Sequence, residues 1–200
     1  MPSGSLRSGF SWMLLGNVVY AAAQWGILSL VAKLGSSEML GQYALALAIT
    51  TPVIMLSHLN LRAALATDVG ERHPFGDYLA VRLATTAAGL CAIAFIAFFS
   101  ANSWTVAAVI LLMGISQSAE NVSDIYHGAL QRRDEMGQIA RSMIARGIVS
   151  VAAVGIAMWM THDLVSAMLA LVASRLVVLL AYDRPRGSSG ERLFRSGRQA

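Results

Sequence analysis

Gln117, Glu120, Asn121 and Asp124 recur at three- and four-residue spacing inside one long apolar run, and His127 continues the series at its exit. On a helix that spacing puts them on a common face. Opposite charges occur in two later apolar runs as Arg146 and Arg175, and the first run carries Asn17 and Gln24, seven apart with Tyr20 between them. Counted from the arginine-rich ends of their runs, Asn17, Glu120, Arg146 and Arg175 each lie about seven residues in, or roughly 10 Å deep at helical rise. Ionisable and amide side chains are costly within apolar runs and mark candidate functional positions. Two chemistries fit them. Glu120 or Asp124 can pair with Arg146 or Arg175 as a structural ion pair holding helices together. Alternatively the layer lines a hydrated cavity that meets a polar or anionic substrate. The candidate cavity residues are Asn17, Gln24, Gln117, Glu120, Asn121, Asp124, Arg146 and Arg175.

The elements that must position this layer are six apolar runs, at 11–32, 40–64, 78–100, 103–126, 139–161 and 164–182. Each is about 19 to 25 residues long, enough to cross a hydrocarbon core of about 30 Å. The basic residues alternate between the connections. Arg7 precedes the first run, Arg62, Arg72 and Arg82 surround the second connection, and Arg132, Arg133 and Arg141 surround the fourth. Arg184, Arg186, Arg192, Arg195 and Arg198 follow the last run, whereas the other connections hold Lys33 and otherwise acidic or neutral residues. This is the positive-inside pattern of a multi-pass protein with both termini in the cytoplasm. Very short links at Ala101-Asn102 and Thr161-His162-Asp163 force antiparallel neighbours. The expected fold is therefore an all-α integral membrane bundle of about six transmembrane helices in antiparallel hairpins. A Ser-, Gly- and Arg-rich segment at 183–200 reads as a solvated cytoplasmic tail or linker.

Composition agrees. Apolar residues make up 56% of the chain and charged residues 13%, against about a quarter charged in soluble domains. The pI near 9.7 is explained by short juxtamembrane loops without aromatic interleaving, so nucleic acid is not an expected partner. Alternating strand patterns are absent, which argues against a β-barrel. The first run is too long for a signal peptide and has no convincing small-residue cleavage site, so it is expected to be retained. Trp12, Trp25, Trp104 and Trp159 fall near run ends, as interfacial anchors do. Arg62 and Arg82 are expected to snorkel at the boundary as topology determinants. Pro52 predicts a kink in the second helix, and Ala84, Ala87, Ala88 and Gly89 predict close packing of the third. The lone Cys91 excludes an internal disulfide.

Enzyme motifs are missing where membrane enzymes need them. The chain has no Asp-Gly pair to begin the metal-binding aspartate series of a CDP-alcohol phosphotransferase; Gly137-Gln138-Ile139-Ala140-Arg141 echoes a fragment of that motif without its carboxylates. Gly114-Ile115-Ser116-Gln117 lacks the second glycine of a serine-protease motif, and no histidine lies at matching depth. His58 and His162 have no second ligand at metal spacing, and no phosphate-cradling glycine loop occurs. The expectation is a non-enzyme without metal or cofactor.

Ala32-Lys33-Leu34-Gly35-Ser36-Ser37-Glu38-Met39-Leu40-Gly41-Gln42-Tyr43, followed by an apolar helix ending in Asn60-Leu61-Arg62, supplies a small-basic-Leu-Gly turn and a Gly-x-Tyr. This stretch resembles the turn between helices one and two of polysaccharide-biosynthesis flippases, the Wzx-type members of the multidrug/oligosaccharidyl-lipid/polysaccharide exporter superfamily. Gly128-Ala129-Leu130-Gln131-Arg132-Arg133-Asp134-Glu135-Met136 is similar to their cytoplasmic loop after helix four. The resemblance implies transport of lipid-linked oligosaccharide across the bacterial inner membrane for polysaccharide or lipopolysaccharide biosynthesis. It covers only the N-terminal lobe of a two-lobe transporter, so a second six-helix lobe or a homodimer is the expected partner beside the lipid bilayer. In that setting Arg146 and Arg175 would meet the diphosphate. The alternative is a multi-pass scaffold or assembly partner of the polysaccharide machinery that does not itself transport.

Overall fold

The computed structural model describes residues 3–67 and 74–187. Within them the chain is helical: α1 (Ser3–Leu34), α2 (Ser37–Ser57), α3 (Leu61–Thr67), α4 (Phe75–Ser100), α5 (Trp104–Arg132), α6 (Met136–Thr161) and α7 (Leu164–Val178). A π-helical turn, Leu179–Asp183, and one further turn extend the last helix to Gly187. Six helical segments are long and apolar enough to cross a membrane, with α2 and α3 together forming the second. Trp25, Trp104 and Trp159 are 72–90% exposed, and Leu14, Val18, Phe98, Ile156 and Leu180 also point outward. Such a girdle would be an aggregation surface in water; against lipid it costs nothing. This is an all-α membrane-type bundle.

Local signals set the ends. Ser36 and Ser103 cap α2 and α5 by accepting from the backbone N–H three residues on. Asp163 caps α7, accepting from the backbone N–H of Ser166 at 2.8 Å and from its hydroxyl at 2.7 Å. These bonds, the Ser166 hydroxyl foremost, hold the Asp163 carboxyl below the usual carboxylate range. The depressed value means that the cap stabilises the fold above the ordinary carboxylate pKa of about 3.9 and is lost as pH falls below it. Asp163→Ala is expected to cost about 1 kcal/mol near neutral pH, and less at pH 3. Unfolding curves in detergent at the two pH values measure the difference; an equal loss at both would refute the assignment.

The second run is interrupted beyond Pro52. Helix continues through that residue, and the interruption comes at 58–60, where Leu59 (φ 42°) and Asn60 (φ 53°) adopt left-handed backbone. The third run also differs from expectation: Ala84, Ala87 and Ala88 are exposed, and only Gly89 packs inward, against Ser57 and Val53. Close approach belongs instead to α1 and α6. A Cβ on Gly16 would lie 2.9 Å from the Ala140 backbone, and one on Gly147 would lie 3.0 Å from the Ala23 methyl. Small residues let these two backbones touch, the usual basis of tight packing in lipid.

Helix α5 runs through the middle of the bundle, with α2, α3, α4 and α7 packed round it. An apolar core including Ile27, Ile93, Ile110, Met113, Met158 and Leu171 occupies the arginine-poor half. A smaller cluster around Leu65, Phe75, Ile125 and Leu179 lies toward the opposite end. Between them α5 presents its polar residues. Arg72 and the tail beyond 187 lie outside the described residues; within them, the tail's first residues are helical and Asp183 is fully buried.

Candidate functional site

The polar stretch of α5 opens into a cavity of about 330 Å³ bounded by α1, α2, α3, α5, α6 and α7. Of the residues expected there, Gln24, Gln117, Glu120, Asn121, Asp124, Arg146 and Arg175 line it. Asn17 does not; it is exposed on α1. Seven residues of helix span about 10 Å, and at its level Gly16 is pressed onto Ala140. Asn17 shares a face with Gln24 but lies one turn or more beyond the cavity's lining on α1, which is Tyr20 and Gln24.

Around α5 the polar side chains separate into three groups. Glu120 faces α1 and α7. It accepts a hydrogen bond from the Tyr20 hydroxyl and pairs with Arg175 at 3.2 Å. Gln24 completes this group, donating to Tyr20 Oη at 2.6 Å and accepting from Arg175 Nη2 at 3.5 Å. Of the ion pairs open to Glu120, the structure has the one with Arg175.

Asn121 and Asp124 turn toward α2, α3 and α4. Asn121 donates to Ser57 Oγ at 2.9 Å and to Thr86 Oγ1 at 3.0 Å, and accepts from Arg82. Asp124 receives Arg62 Nη1 at 2.9 Å and Arg82 Nη2 at 3.4 Å. Arg82 is therefore no snorkelling boundary residue. It is 0% exposed, because a carboxylate and an amide at its own depth compensate the guanidinium better than a reach to the interface would.

The third group contains a partner the apolar-run pattern does not reveal. Arg146 donates to Asp183 Oδ2 at 2.7 Å, and Ser142 donates to the other carboxylate oxygen. His127 Nε2 lies 3.1 Å from Ser142 Oγ and 3.4 Å from Asp183 Oδ1. Asp183 follows directly on the last apolar run, so its sequence position alone reads as a tail residue. The available signal was the need of Arg146 for a carboxylate at similar depth, which neither Glu120 nor Asp124 supplies. Tyr43, Thr51, His58 and Arg62 also line the cavity without having been singled out for it.

Hydrogen-bonding capacity remains. The Nε atoms of Arg146 and Arg175 are buried without a hydrogen-bond partner. Buried donors in this state cost free energy until an acceptor reaches them. The arrangement suits binding of a polar or anionic group by charge-assisted hydrogen bonds. Among the described residues no three metal-ligating side chains come together.

No family model matches the chain, and no solved structure matches it. A curated relative, the capsular polysaccharide biosynthesis protein CapF of Staphylococcus aureus, is 25% identical over 175 residues. The similarity covers 88% of this chain and 43% of that protein, so the chain spans less than half the length of the relative it matches.

Proposed function

We propose that the chain serves polysaccharide biosynthesis as half of a membrane transporter for lipid-linked oligosaccharide, of the Wzx flippase type. The observation that carries this reading is a donor-rich polar cavity, with Arg146 and Arg175 both nine-tenths or more buried, inside a bundle whose outer surface is apolar. The similarity to a capsular polysaccharide biosynthesis protein supports the pathway. Tyr43 of the Gly-x-Tyr motif is 2% exposed and lines the cavity, which joins the flippase resemblance to the site. In this reading a further six-helix lobe closes the cavity, the arginine-rich end faces the cytoplasm across the inner membrane, and Arg175 meets the diphosphate of the carrier.

Complementation of a flippase-deficient strain tests it. The chain joined to a second lobe should restore surface polysaccharide, and the chain alone should not. Arg175→Ala in the joined protein should lower export about tenfold or more, the effect of losing charge-assisted hydrogen bonds, while membrane insertion persists. Reporter fusions after 133 and 186 should both read out in the cytoplasm. Normal export by Arg175→Ala would refute the assigned role. No export by either form, together with stable association with a glycosyltransferase or polymerase, would support the scaffold reading instead.

A further inference from the structure

A second cavity, of about 290 Å³, lies beside the helix break at 58–60 and is lined by His58, Asn60, Arg62, Arg82, Asp124 and Gln131. It shares His58, Arg62 and Asp124 with the central cavity, so these three form the wall between the two. We infer that this second cavity is an anion site for a phosphate group, held by Arg62 and Arg82.

Charge distribution is the first reason. In the central cavity each buried guanidinium has a carboxylate of its own: Arg175 has Glu120 at 3.2 Å and Arg146 has Asp183 at 2.7 Å. Here two guanidiniums share one. Asp124 gives Oδ1 to Arg62 and Oδ2 to Arg82, and their remaining partners, Gln131 and Asn121, are neutral amides. Among the described residues the group carries one uncompensated positive charge.

Burial is the second reason. Arg82 is 0% exposed, and its Nε–H has no hydrogen-bond partner. A buried cation that shares its countercharge and keeps one donor unmet is costly. An anion at the Arg62–Arg82 pair supplies the further countercharge and an acceptor. Asp124 does not repel it strongly, because each of its oxygens is already engaged by a guanidinium.

The cavity and donor types define the ligand. At about 30 Å³ per water, the space holds roughly ten waters, ample for a hydrated phosphate. Guanidinium forks match phosphate oxygens bidentately, and Gln131 and Asn60 add neutral donors at the rim. Two sources present the same chemistry: free inorganic phosphate, or the phosphate of a polyprenyl lipid entering from the arginine-rich end. The site is separate from the transport reading, since binding here is measured on this chain without a second lobe.

Titration calorimetry on the purified chain in neutral detergent, at fixed ionic strength, tests the site with inorganic phosphate, farnesyl monophosphate and farnesol. At least one of the phosphate-bearing probes should bind saturably, and farnesol should not. Binding of both assigns the site to the phosphate group whatever its source; binding of farnesyl monophosphate alone points to lipid, and of inorganic phosphate alone to the free ion. Arg62→Gln, which changes a partly exposed side chain, should weaken binding about tenfold or more. Arg141→Gln, an exposed arginine that lines neither cavity, should leave this affinity within about twofold. Arg82→Lys keeps the charge but loses the fork, and should weaken binding to an intermediate extent; if it does not fold, the Arg62→Gln comparison decides. Absence of saturable binding by both phosphate-bearing probes, unchanged affinity in Arg62→Gln, or loss in Arg141→Gln but not Arg62→Gln would overturn the inference.

Discussion

Replacing Asp183 by Ala should destabilise the bundle by about 3–5 kcal/mol, the cost of leaving a buried guanidinium without its counterion. Arg146 is 6% exposed and Asp183 0%. The carboxylate also receives Ser142 and lies beside His127, so three side chains on α5 and α6 lose their common acceptor. An ordinary hydrogen bond between membrane helices contributes only about 0.6 kcal/mol. The larger figure rests on the charge. Replacing both members by apolar residues, Arg146→Met with Asp183→Leu, should recover most of the loss, because a well-packed apolar pair can match a buried ion pair. Equilibrium unfolding in mixed micelles gives both values and the coupling between them. A loss below about 1 kcal/mol for the single variant would show that Arg146 relaxes into the hydrated cavity it lines.

The second large effect separates two arginines of identical charge. Arg82→Ala should cost about 3 kcal/mol, from the cavity it leaves and the acceptor it strands, whereas Arg62→Ala should cost about 1 kcal/mol or less. Both pair with Asp124, and both lie near the arginine-rich end. The difference is burial: the Arg82 side chain is 0% exposed and that of Arg62 is 27%. Removing Arg82 also strands the carbonyl oxygen of Asn121, whose amide nitrogen remains tied to Ser57 and Thr86. Arg62 leaves behind a carboxylate that the cavity can solvate. Equal losses for the two variants in the same unfolding assay would count against the three-helix knot at Asn121.

Much of this site was legible before any coordinates. Glu120, Asn121 and Asp124 stand out because α5 is otherwise apolar, and helical periodicity brings them together without reference to any other element. Periodicity does not say which neighbour each one meets. Residues 120 and 121 point about 100° apart, and this sends Glu120 to Arg175 and Asn121 to Arg82. Asn17 shows the opposite failure. Its seven-residue spacing from Gln24 predicts a shared face, but the cavity's lining on α1, which is Tyr20 and Gln24, stops short of it.

What the chain's own order of residues determined is therefore local and additive: apolar lengths sufficient to cross a bilayer, capped turns, alternating arginines and the polar stripe of α5. What the tertiary structure decided is the choice of partners. By sequence position Asp183 reads as a solvated tail residue and Arg82 as an interfacial one; the fold sets Asp183 against Arg146, and Arg82 against Asn121 and Asp124. Run length and periodicity depend on neighbours along the chain. An ion pair between residues 37 apart depends on the rotation and order of whole helices, which packing at small residues sets and spacing does not encode.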